Sequence, residues 1–329
     1  MNHTEDPRHP GGTTAPGLRR PIVSVVGIGA MGLPIAERLL KSGFEVRAID
    51  VSAVRVEQCR AIGMAASTDL SLAAGSDIVL GLVATDMQWN ALLAHPVVTD
   101  GRLRGTALLV MSTIGPEAIH GLSELAEARG LRILDCPVTG GVAGAASGNL
   151  TMFTSGDAAV VREAEAVLNV LGRVSVVGAR VGDGQAFKLV NQMLASIHLA
   201  AAGEALAFAE RLGLNLNLVQ ELLPTGAGAS WMLADRGPRM VLPTDARPLR
   251  TQLSVFVKDS GLVDRAVRAT DAHAPLSKAA RAAWIEADSR GFGDTDDSHI
   301  VEVFKQSRKP EAVEHPGDPH PEVAASTTR

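Results

Sequence analysis

Cysteine, basic charge and long apolar runs are all scarce in this chain of 329 residues. Its two cysteines, Cys59 and Cys136, form neither a metal-ligand spacing nor a disulfide framework, so we predict no metal site and expect a reducing cytoplasm. The formal net charge of -5 leaves no basic surface for nucleic acid. Because no apolar run reaches the ~18 residues of a membrane span, we also expect no membrane partner.

The two ends of the chain are polar and rich in proline. Residues 1–20 contain no apolar core for a signal peptide, and residues 307–329 have little to bury, so we predict both to be disordered. Between them, short apolar runs alternate with helical patterns over residues 21–183, which predicts a parallel α/β domain. Helical patterns alone fill residues 184–306, beginning with a long helix to about Arg211, and predict a second, all-α domain. The predicted strands are Ile22–Val26, Phe44–Asp50, Asp77–Val83, Thr106–Met111, Arg132–Pro137, Leu150–Gly156 and Val174–Gly178.

The first predicted strand runs into a G-x-G-x-x-G turn that opens a helix. In such turns the first glycine permits a sharp bend, the second lets the backbone approach a pyrophosphate, and the third allows close helix–strand packing. The next strand ends in Asp50, whose carboxylate can accept the ribose hydroxyls of an adenosine and would repel a 2′-phosphate. This pattern predicts a Rossmann-type cofactor site that prefers NAD to NADP, although Arg47 and Arg55 lie near enough to weaken that preference. Its residues are Gly27, Ile28, Gly29, Ala30, Met31, Gly32 and Asp50.

Two later strands also end in residues suited to ligands. Thr113 follows the fourth predicted strand, at the carboxyl edge of the sheet where ligands of α/β proteins bind. A loop of small residues, Val138–Gly148, follows the fifth. Its successive backbone N–H groups and the Thr139 hydroxyl could form a nest for a carboxylate, or the loop could be a tightly packed turn.

The stretch VGDGQAFKLVNQM carries the most reactive side chain that the sequence offers. Lys188, Asn191 and Gln192 lie three and four residues apart on a predicted apolar helix, so their side chains share one face. Burial among apolar neighbours would lower the pKa of the lysine toward neutrality. A single lysine on a helix is usually a solvated charge, so this stretch alone does not establish a catalytic role.

Four motifs in this order resemble those of the β-hydroxyacid dehydrogenase family, which includes 3-hydroxyisobutyrate dehydrogenase and tartronate semialdehyde reductase. They are the cofactor turn VGIGAMGLPIAERLLKSGFEV, the substrate motif DCPVTGGVAGAASGNLT, the catalytic motif GDGQAFKLVNQM and the C-terminal segment FVKDSGLV. The resemblance covers about Pro21 to Phe304. Thr139 stands where the family more often has serine, and Gln192 stands where many members have a second asparagine.

The resemblance implies a reversible hydride transfer on a small hydroxy-carboxylate substrate. Lys188 would be the catalytic acid and base with Asn191 as its partner, while Thr139, Gly140, Gly141 and Gln192 would bind the substrate. Thr113 would contact the cofactor, and Lys258 would contact the cofactor or the substrate. The helix that carries Lys188 would join the two domains and place the lysine in the cleft between them, and the helical domain would form a homodimer or homotetramer.

Within the helical half, Ser230, Trp231 and Asp296–Ser298 most resemble the L-threonate dehydrogenase branch, whose substrates are four-carbon sugar acids. Trp231 is interpreted more readily as a core residue, and Asp296 and Asp297 could instead cap the last helix. The alternatives are 3-hydroxyisobutyrate or tartronate semialdehyde as substrate, or a non-catalytic NAD-sensing module. Lys188 argues against an imine reductase, in which aspartate or tyrosine usually replaces the lysine, and the chain is short for a 6-phosphogluconate dehydrogenase.

Overall fold

A computed structural model of the protein describes residues 19–305, so nearly all of the two predicted tails lies outside the described residues. The N-terminal half is built on one nine-stranded sheet. The strands are β1 Ile22–Val26, β2 Glu45–Ile49, β3 Ala65–Ser67, β4 Ile78–Gly81, β5 Ala107–Val110, β6 Arg132–Asp135, β7 Val138–Thr139, β8 Leu150–Gly156 and β9 Gly172–Gly178.

Helices connect these strands and then form the whole C-terminal half. The α-helices are α1 Gly32–Lys41, α2 Ala53–Ala61, α3 Asp86–Ala94, α4 Pro96–Thr99, α5 Pro116–Ala128, α6 Gly141–Ser147, α7 Ala158–Leu171, α8 Asp183–Arg211, α9 Leu216–Leu222, α10 Trp231–Met240, α11 Leu253–Ala269, α12 Pro275–Ala287 and α13 Val301–Lys305. Single 3-10 turns lie at Leu70–Ala73, Leu223–Thr225, Thr244–Ala246 and Asp297–Ile300, and a π-helical turn lies at Asp288–Phe292.

The strand order is β3-β2-β1-β4-β5-β6-β8-β7, with β9 paired to β8. Strands β1 to β6 are parallel, whereas β8 runs antiparallel to β6 and β7. The order reverses between β1 and β4, which creates a crevice at the carboxyl ends of these strands. The glycine turn after β1 therefore opens at the point where doubly wound sheets bind their ligands.

The predicted fold class is confirmed. All seven predicted strands form, with ends that differ by a residue or two, and two short strands, β3 and β7, were not predicted. The antiparallel β8 could not be read from its composition because both directions bury the same apolar side chains.

Two buried clusters cover the two faces of the sheet, and a third forms the core of the helical half. Helix α8 runs through that third cluster, where it packs against α10, α11, α12 and α13. It is long and apolar enough to cross a membrane, but 56% of its most apolar window is buried inside the protein. Packing therefore accounts for the buried part of its apolar surface.

An ion cluster joins α10 to the segment after α12. Arg236 Nε donates to Asp297 Oδ2 at 3.2 Å, and Arg239 donates to both Asp296 and Asp297 at 2.9 and 3.1 Å. The two aspartate side chains have no exposed surface. Asp296 also accepts the backbone N–H of Ser298 and so caps the 3-10 turn Asp297–Ile300, which precedes α13. The predicted cap is therefore found for Asp296 alone, and on this turn instead of the last helix. Asp296 and Asp297, which resemble the L-threonate dehydrogenase branch, thus stabilise the helical half.

We predict that Asp297→Asn destabilises the protein by roughly 3 kcal/mol, because the buried Arg236 and the partly buried Arg239 each lose a buried carboxylate partner. Urea unfolding followed by circular dichroism measures the change. Asp235→Asn is the matched control, since Asp235 pairs with the same two arginines but its side chain is 40% exposed. That variant should lose less than about 1 kcal/mol. Equal losses in the two variants would contradict the structural role of Asp297.

Candidate functional site

Two glycines of the turn after β1 are each required for a different steric reason. Gly27 has φ 95°, and a Cβ there would lie 3.0 Å from the backbone of Leu82. A Cβ on Gly32 would lie 1.9 Å from the carbonyl oxygen of Gly27, so only glycine lets α1 start this close to β1. These are the roles that the sequence predicted for the first and third glycines.

Gly29 differs, because a Cβ there would meet no atom within 4 Å. Gly29 and Ala30 are exposed at the start of α1, where N–H groups lack helical partners. Within residues 19–305, no contact therefore requires a glycine at position 29, and the open space fits a pyrophosphate approaching the backbone. The turn and the donors of this helix start suit a dinucleotide.

Asp50 lies directly beside this turn. Its Oδ2 accepts the backbone N–H of Ile28 at 2.6 Å, and its Oδ1 accepts that of Ser52 at 2.8 Å. The carboxylate is partly exposed, so lone pairs remain available to ligand hydroxyls. Ile28 itself is fully buried, and Met31 is partly buried, so the turn presents mainly backbone to the crevice.

Helix α8 starts against the sheet and carries Lys188 on its second turn. A Cβ on Gly184 would lie 2.4 Å from the carbonyl oxygen of Phe153, which explains this glycine as a close-approach position. Lys188 is only 6% exposed. The buried lysine therefore lies close to the junction of the two halves.

A chain of three side chains holds the ammonium group. Lys188 Nζ donates to Gln192 Oε1 at 2.7 Å, and Gln192 Nε2 donates to Asp259 Oδ2 on α11 at 2.6 Å. Asn191 Nδ2 also donates to Gln192 Oε1, at 2.9 Å. Gln192 is thus the direct partner of the lysine in this structure, and Asn191 reaches it through Gln192.

Burial lowers the pKa of Lys188 from its ordinary value of 10.5 to about 8. The negative charge of Asp259 opposes this shift, and the positive charge of Lys258 adds to it. An amine with such a pKa can both take up and release a proton near neutral pH.

Lys258 links the helical half to the sheet. Its Nζ donates to the carbonyl oxygen of Thr113 at 2.9 Å and lies 3.1 Å from Asp259 Oδ1. The Lys258 ammonium is therefore the charged partner of the buried Asp259 Oδ1. The contacts connect Thr113, Lys258, Asp259, Gln192 and Lys188 in one cluster.

The loop of small residues after β6 contains the short strand β7 and helix α6. Gly140 and Gly141 have φ 124° and 63°, a region that favours glycine, and a Cβ on Gly140 would crowd Leu150 and Asn149. Thr139 pairs with Thr151 on β8. None of the hydrogen bonds within residues 19–305 joins Thr139, Gly140 or Gly141 to Lys188, so the structure brings together the lysine cluster but leaves this loop outside it.

Three residues of the site were not singled out in the sequence: Asp259, Gln185 and Asp135. Asp259 follows Lys258 in the C-terminal motif, Asp135 lies in the substrate motif and Gln185 lies in the catalytic motif. Their positions inside these motifs could have indicated that they belong to the site. Asp135 has no exposed surface and accepts the backbone N–H groups of Gly182 and Gln185 at 3.0 and 2.9 Å. Burial raises its pKa, and these hydrogen bonds oppose the rise.

The interpretation of Trp231 as a core residue is wrong. Its side chain is 58% exposed at the start of α10, with the Arg236 guanidinium 5.1 Å from the ring centroid. Ser230 caps this helix by accepting the backbone N–H of Leu233. Cys136 is buried, and burial raises the pKa of its thiol to about 12, so it is not a nucleophile.

Models of two protein families match almost all of the described chain. One, "NAD binding domain of 6-phosphogluconate dehydrogenase", matches residues 22–180. The other, "NAD-binding of NADP-dependent 3-hydroxyisobutyrate dehydrogenase", matches residues 182–304. The boundary between the two matches falls at the start of α8.

Individual relatives extend this similarity over the same length. An L-threonate dehydrogenase from Cupriavidus necator is 36% identical over 289 residues, which cover 86% of this chain and 95% of that protein. An NAD-dependent L-serine dehydrogenase from Pseudomonas aeruginosa is 29% identical, with 86% and 97% covered. The solved structure of a 3-hydroxyisobutyrate dehydrogenase from Salmonella typhimurium matches with a TM-score of 0.79 at 30% identity, covering 87% of this chain and 100% of that one.

Proposed function

Because this chain belongs to the β-hydroxyacid dehydrogenase family, whose members are NAD(P)-dependent oxidoreductases of CH–OH groups, we propose that it oxidises a four-carbon sugar acid such as L-threonate with NAD. The observation that carries the proposed chemistry is the buried Lys188, whose pKa is lowered to about 8. An acid–base catalyst is most effective at such a pKa.

In the proposed oxidation, Lys188 Nζ takes the proton from the substrate hydroxyl while hydride leaves the carbon that bears this hydroxyl. NAD, when bound, supplies the hydride acceptor. In the reverse direction the Lys188 ammonium returns the proton to the oxygen and stabilises negative charge on it. Gln192 holds Nζ in place, and Asn191 supports Gln192.

The residues of the glycine turn would hold the cofactor, with Thr113 and Lys258 contacting it from the sheet and from α11. Thr139, Gly140 and Gly141 would fix the substrate carboxylate through their backbone N–H groups and the threonine hydroxyl. Fixing the carboxylate would orient the reacting carbon toward the cofactor.

The similarity to L-threonate dehydrogenase over nearly the whole length of that protein supports a sugar acid as substrate.

We predict that L-threonate gives the highest kcat/KM in a panel that also contains D-erythronate, 3-hydroxyisobutyrate, D-glycerate and serine. NADH formation at 340 nm measures each rate. Lys188→Ala should lower kcat for the preferred substrate by about 100-fold or more, because general acid–base catalysis contributes that much. Higher activity on 3-hydroxyisobutyrate or serine would overturn the substrate, and wild-type turnover in Lys188→Ala would overturn the acid–base role.

The pH dependence should follow the ionisation of Lys188. Since oxidation requires the neutral amine, its rate should rise through a midpoint near pH 8 and level off above it, whereas the reduction rate should fall through the same midpoint. Asp259→Asn removes a charge that favours the ammonium, so the midpoint should move to lower pH. Lys258→Met removes a like charge and should move it to higher pH.

The measurement is kcat/KM for oxidation between pH 6 and 10, with each variant compared with the wild type. General damage to the site would not move the two midpoints in opposite directions. Unchanged midpoints in both variants would show that another group titrates.

The choice of NAD over NADP rests on Asp50. Arg47 donates to the carbonyl oxygens of Leu72 and Ala74, and Arg55 donates to Gln58, so both arginines already have partners other than Asp50. The carboxylate therefore keeps its charge toward an incoming 2′-phosphate, which it would repel.

We predict that Asp50→Ala raises KM for NAD about tenfold, the effect of losing one charge-assisted hydrogen bond. The ratio of kcat/KM with NAD to kcat/KM with NADP should fall as well. Steady-state kinetics with both cofactors measure the ratio. Asp69→Ala is the control, because Asp69 makes a similar short turn by accepting the Ser71 N–H but lies outside the proposed site. A wild-type enzyme that prefers NADP by a wide margin would contradict this assignment.

We also propose that the protein self-associates through its helical half, as a homodimer or homotetramer in the cytoplasm. Five apolar side chains, each at least half exposed, follow one face of α8 and its end: Phe187, Val190, Leu194, Phe208 and Leu212. An exposed apolar stripe of this length is typical of a protein interface. A second copy of this chain is the proposed occupant.

A further inference from the structure

We propose that Gln185 is a positioning residue that fixes the loop Ser112–Gly115 against the first turn of α8. Gln185 thereby sets the distance between this loop and Lys188. The inference rests on the proposed roles of Lys188 and of Thr113, which lies within this loop. Gln185 precedes Lys188 by three residues, so the two side chains are neighbours on the helix surface. No role was predicted for Gln185 from the sequence.

The side-chain amide of Gln185 uses its full hydrogen-bonding capacity. Its Oε1 accepts the backbone N–H groups of Ile114 and Gly115 at 2.9 and 3.0 Å. Its Nε2 donates to the Ser112 carbonyl oxygen at 2.9 Å and to Asp135 Oδ1 at 3.0 Å. A glutamine amide offers two donors and two strong acceptor sites. A flipped amide would place donors against donors, so the orientation is fixed.

Burial makes these contacts costly to lose. Gln185 has no exposed surface, and Ile114 is only 4% exposed. The two N–H groups lie just before α5, where Gly115 is the N-cap residue with φ 89° and has no side chain to satisfy them. A buried N–H group without a partner destabilises its segment by about 1–3 kcal/mol. The loop therefore depends on the Gln185 oxygen for its position.

Asp135 in turn fixes Gln185. Its Oδ2 accepts the backbone N–H of Gln185 and of Gly182 and the Ser155 hydroxyl, while its Oδ1 accepts the Gln185 side chain. The carboxylate thus binds both the main chain and the side chain of the same residue. It also lies at the N-terminus of α8, where a negative charge is stabilised.

Lys258 on α11 holds the other side of the loop, through the Thr113 carbonyl oxygen. The loop is therefore attached to the two helices that carry Lys188 and Asp259. The glycine turn after β1 belongs to a different connection of the sheet. Loss of Gln185 should consequently disturb the reacting end of the site and leave the binding of the adenosine half of the cofactor nearly unchanged.

The first test replaces Gln185 with methionine, which has a similar length but cannot form these four hydrogen bonds. We expect kcat to fall about 100-fold, the effect of a displacement near 1 Å, with a much smaller change in KM for NAD. In the protein without cofactor, hydrogen–deuterium exchange should become faster at Ile114 and Gly115. This second readout does not depend on activity.

Thr106→Val is the matched control. Thr106 precedes β5, at the end of the strand opposite the loop, and its hydroxyl donates to the Ser76 carbonyl oxygen at 2.9 Å in a buried site. This variant also loses a buried hydrogen bond, so its melting temperature should fall, but kcat and the exchange of residues 112–115 should stay at the wild-type values. The comparison separates positioning from stability.

The second test moves the negative charge from Asp135 to position 185. Gln185→Glu keeps the acceptor for Ile114 and Gly115 but places a carboxylate against Asp135, so kcat should fall and exchange should rise. Adding Asp135→Asn provides an amide donor for the introduced carboxylate, while the amide oxygen still accepts the N–H groups of α8. The double variant should recover part of the lost kcat and of the lost exchange protection, because the repulsion at Asp135 is gone while the introduced carboxylate still faces the Ser112 carbonyl oxygen, which has lost its donor.

Wild-type kcat and exchange in Gln185→Met would overturn the positioning role. If Gln185→Met does not fold, the comparison of Gln185→Glu with the double variant Gln185→Glu/Asp135→Asn decides. A double variant whose kcat and exchange protection are no better than those of Gln185→Glu would also overturn the positioning role. Failure of the proposed function is distinguishable, because it appears as full turnover in Lys188→Ala. The exchange of residues 112–115 in Gln185→Met still reports on the loop in that case.

Discussion

The carboxylate of Asp135 holds the first turn of α8 on the sheet, and the position of the remaining site depends on that contact. Three of its hydrogen bonds go to residues 182–185, at the point where the chain leaves the sheet for the helical half. Because α8 is a continuous helix of 29 residues, fixing its start also fixes Lys188. The same helix is the central element of the helical core. One buried charge thus connects the cofactor domain to the second domain.

Burial of Lys188 gives this junction its chemistry. An exposed lysine would remain protonated near neutral pH, whereas removal from water brings its pKa to about 8. Burying an amine is costly unless it is hydrogen-bonded, and Gln192 supplies the partner. Asp259 compensates part of the lost hydration through its charge and through Gln192. Helix α11 therefore contributes charged groups to the lysine environment, although it lies far from Lys188 in the sequence.

The helical half has a second buried polar centre with a different consequence. Arg236, Arg239, Asp296 and Asp297 connect α10 to the segment before α13, and the aspartate side chains are fully buried. Of these four residues, Asp296 and Asp297 drew attention in the sequence, because they resemble one branch of the family. In the structure the four residues are each other's partners, so they account for the packing of this half. Resemblance within a motif does not distinguish a ligand contact from a structural ion pair.

The sequence alone determined seven of the nine strands, the glycine turn, Asp50 and the stretch that carries Lys188. Strand patterns, tight turns and helical spacing depend on neighbours in the chain. Tertiary structure decided which polar groups meet. Asn191 and Gln192 both lie beside Lys188 on the helix, and only the position of Asp259 on α11 makes Gln192 the direct partner. The contacts of Gln185 with residues about 70 positions earlier, and the exposure of Trp231, follow likewise from packing between distant segments. Local spacing cannot specify such contacts, since they depend on how whole elements pack.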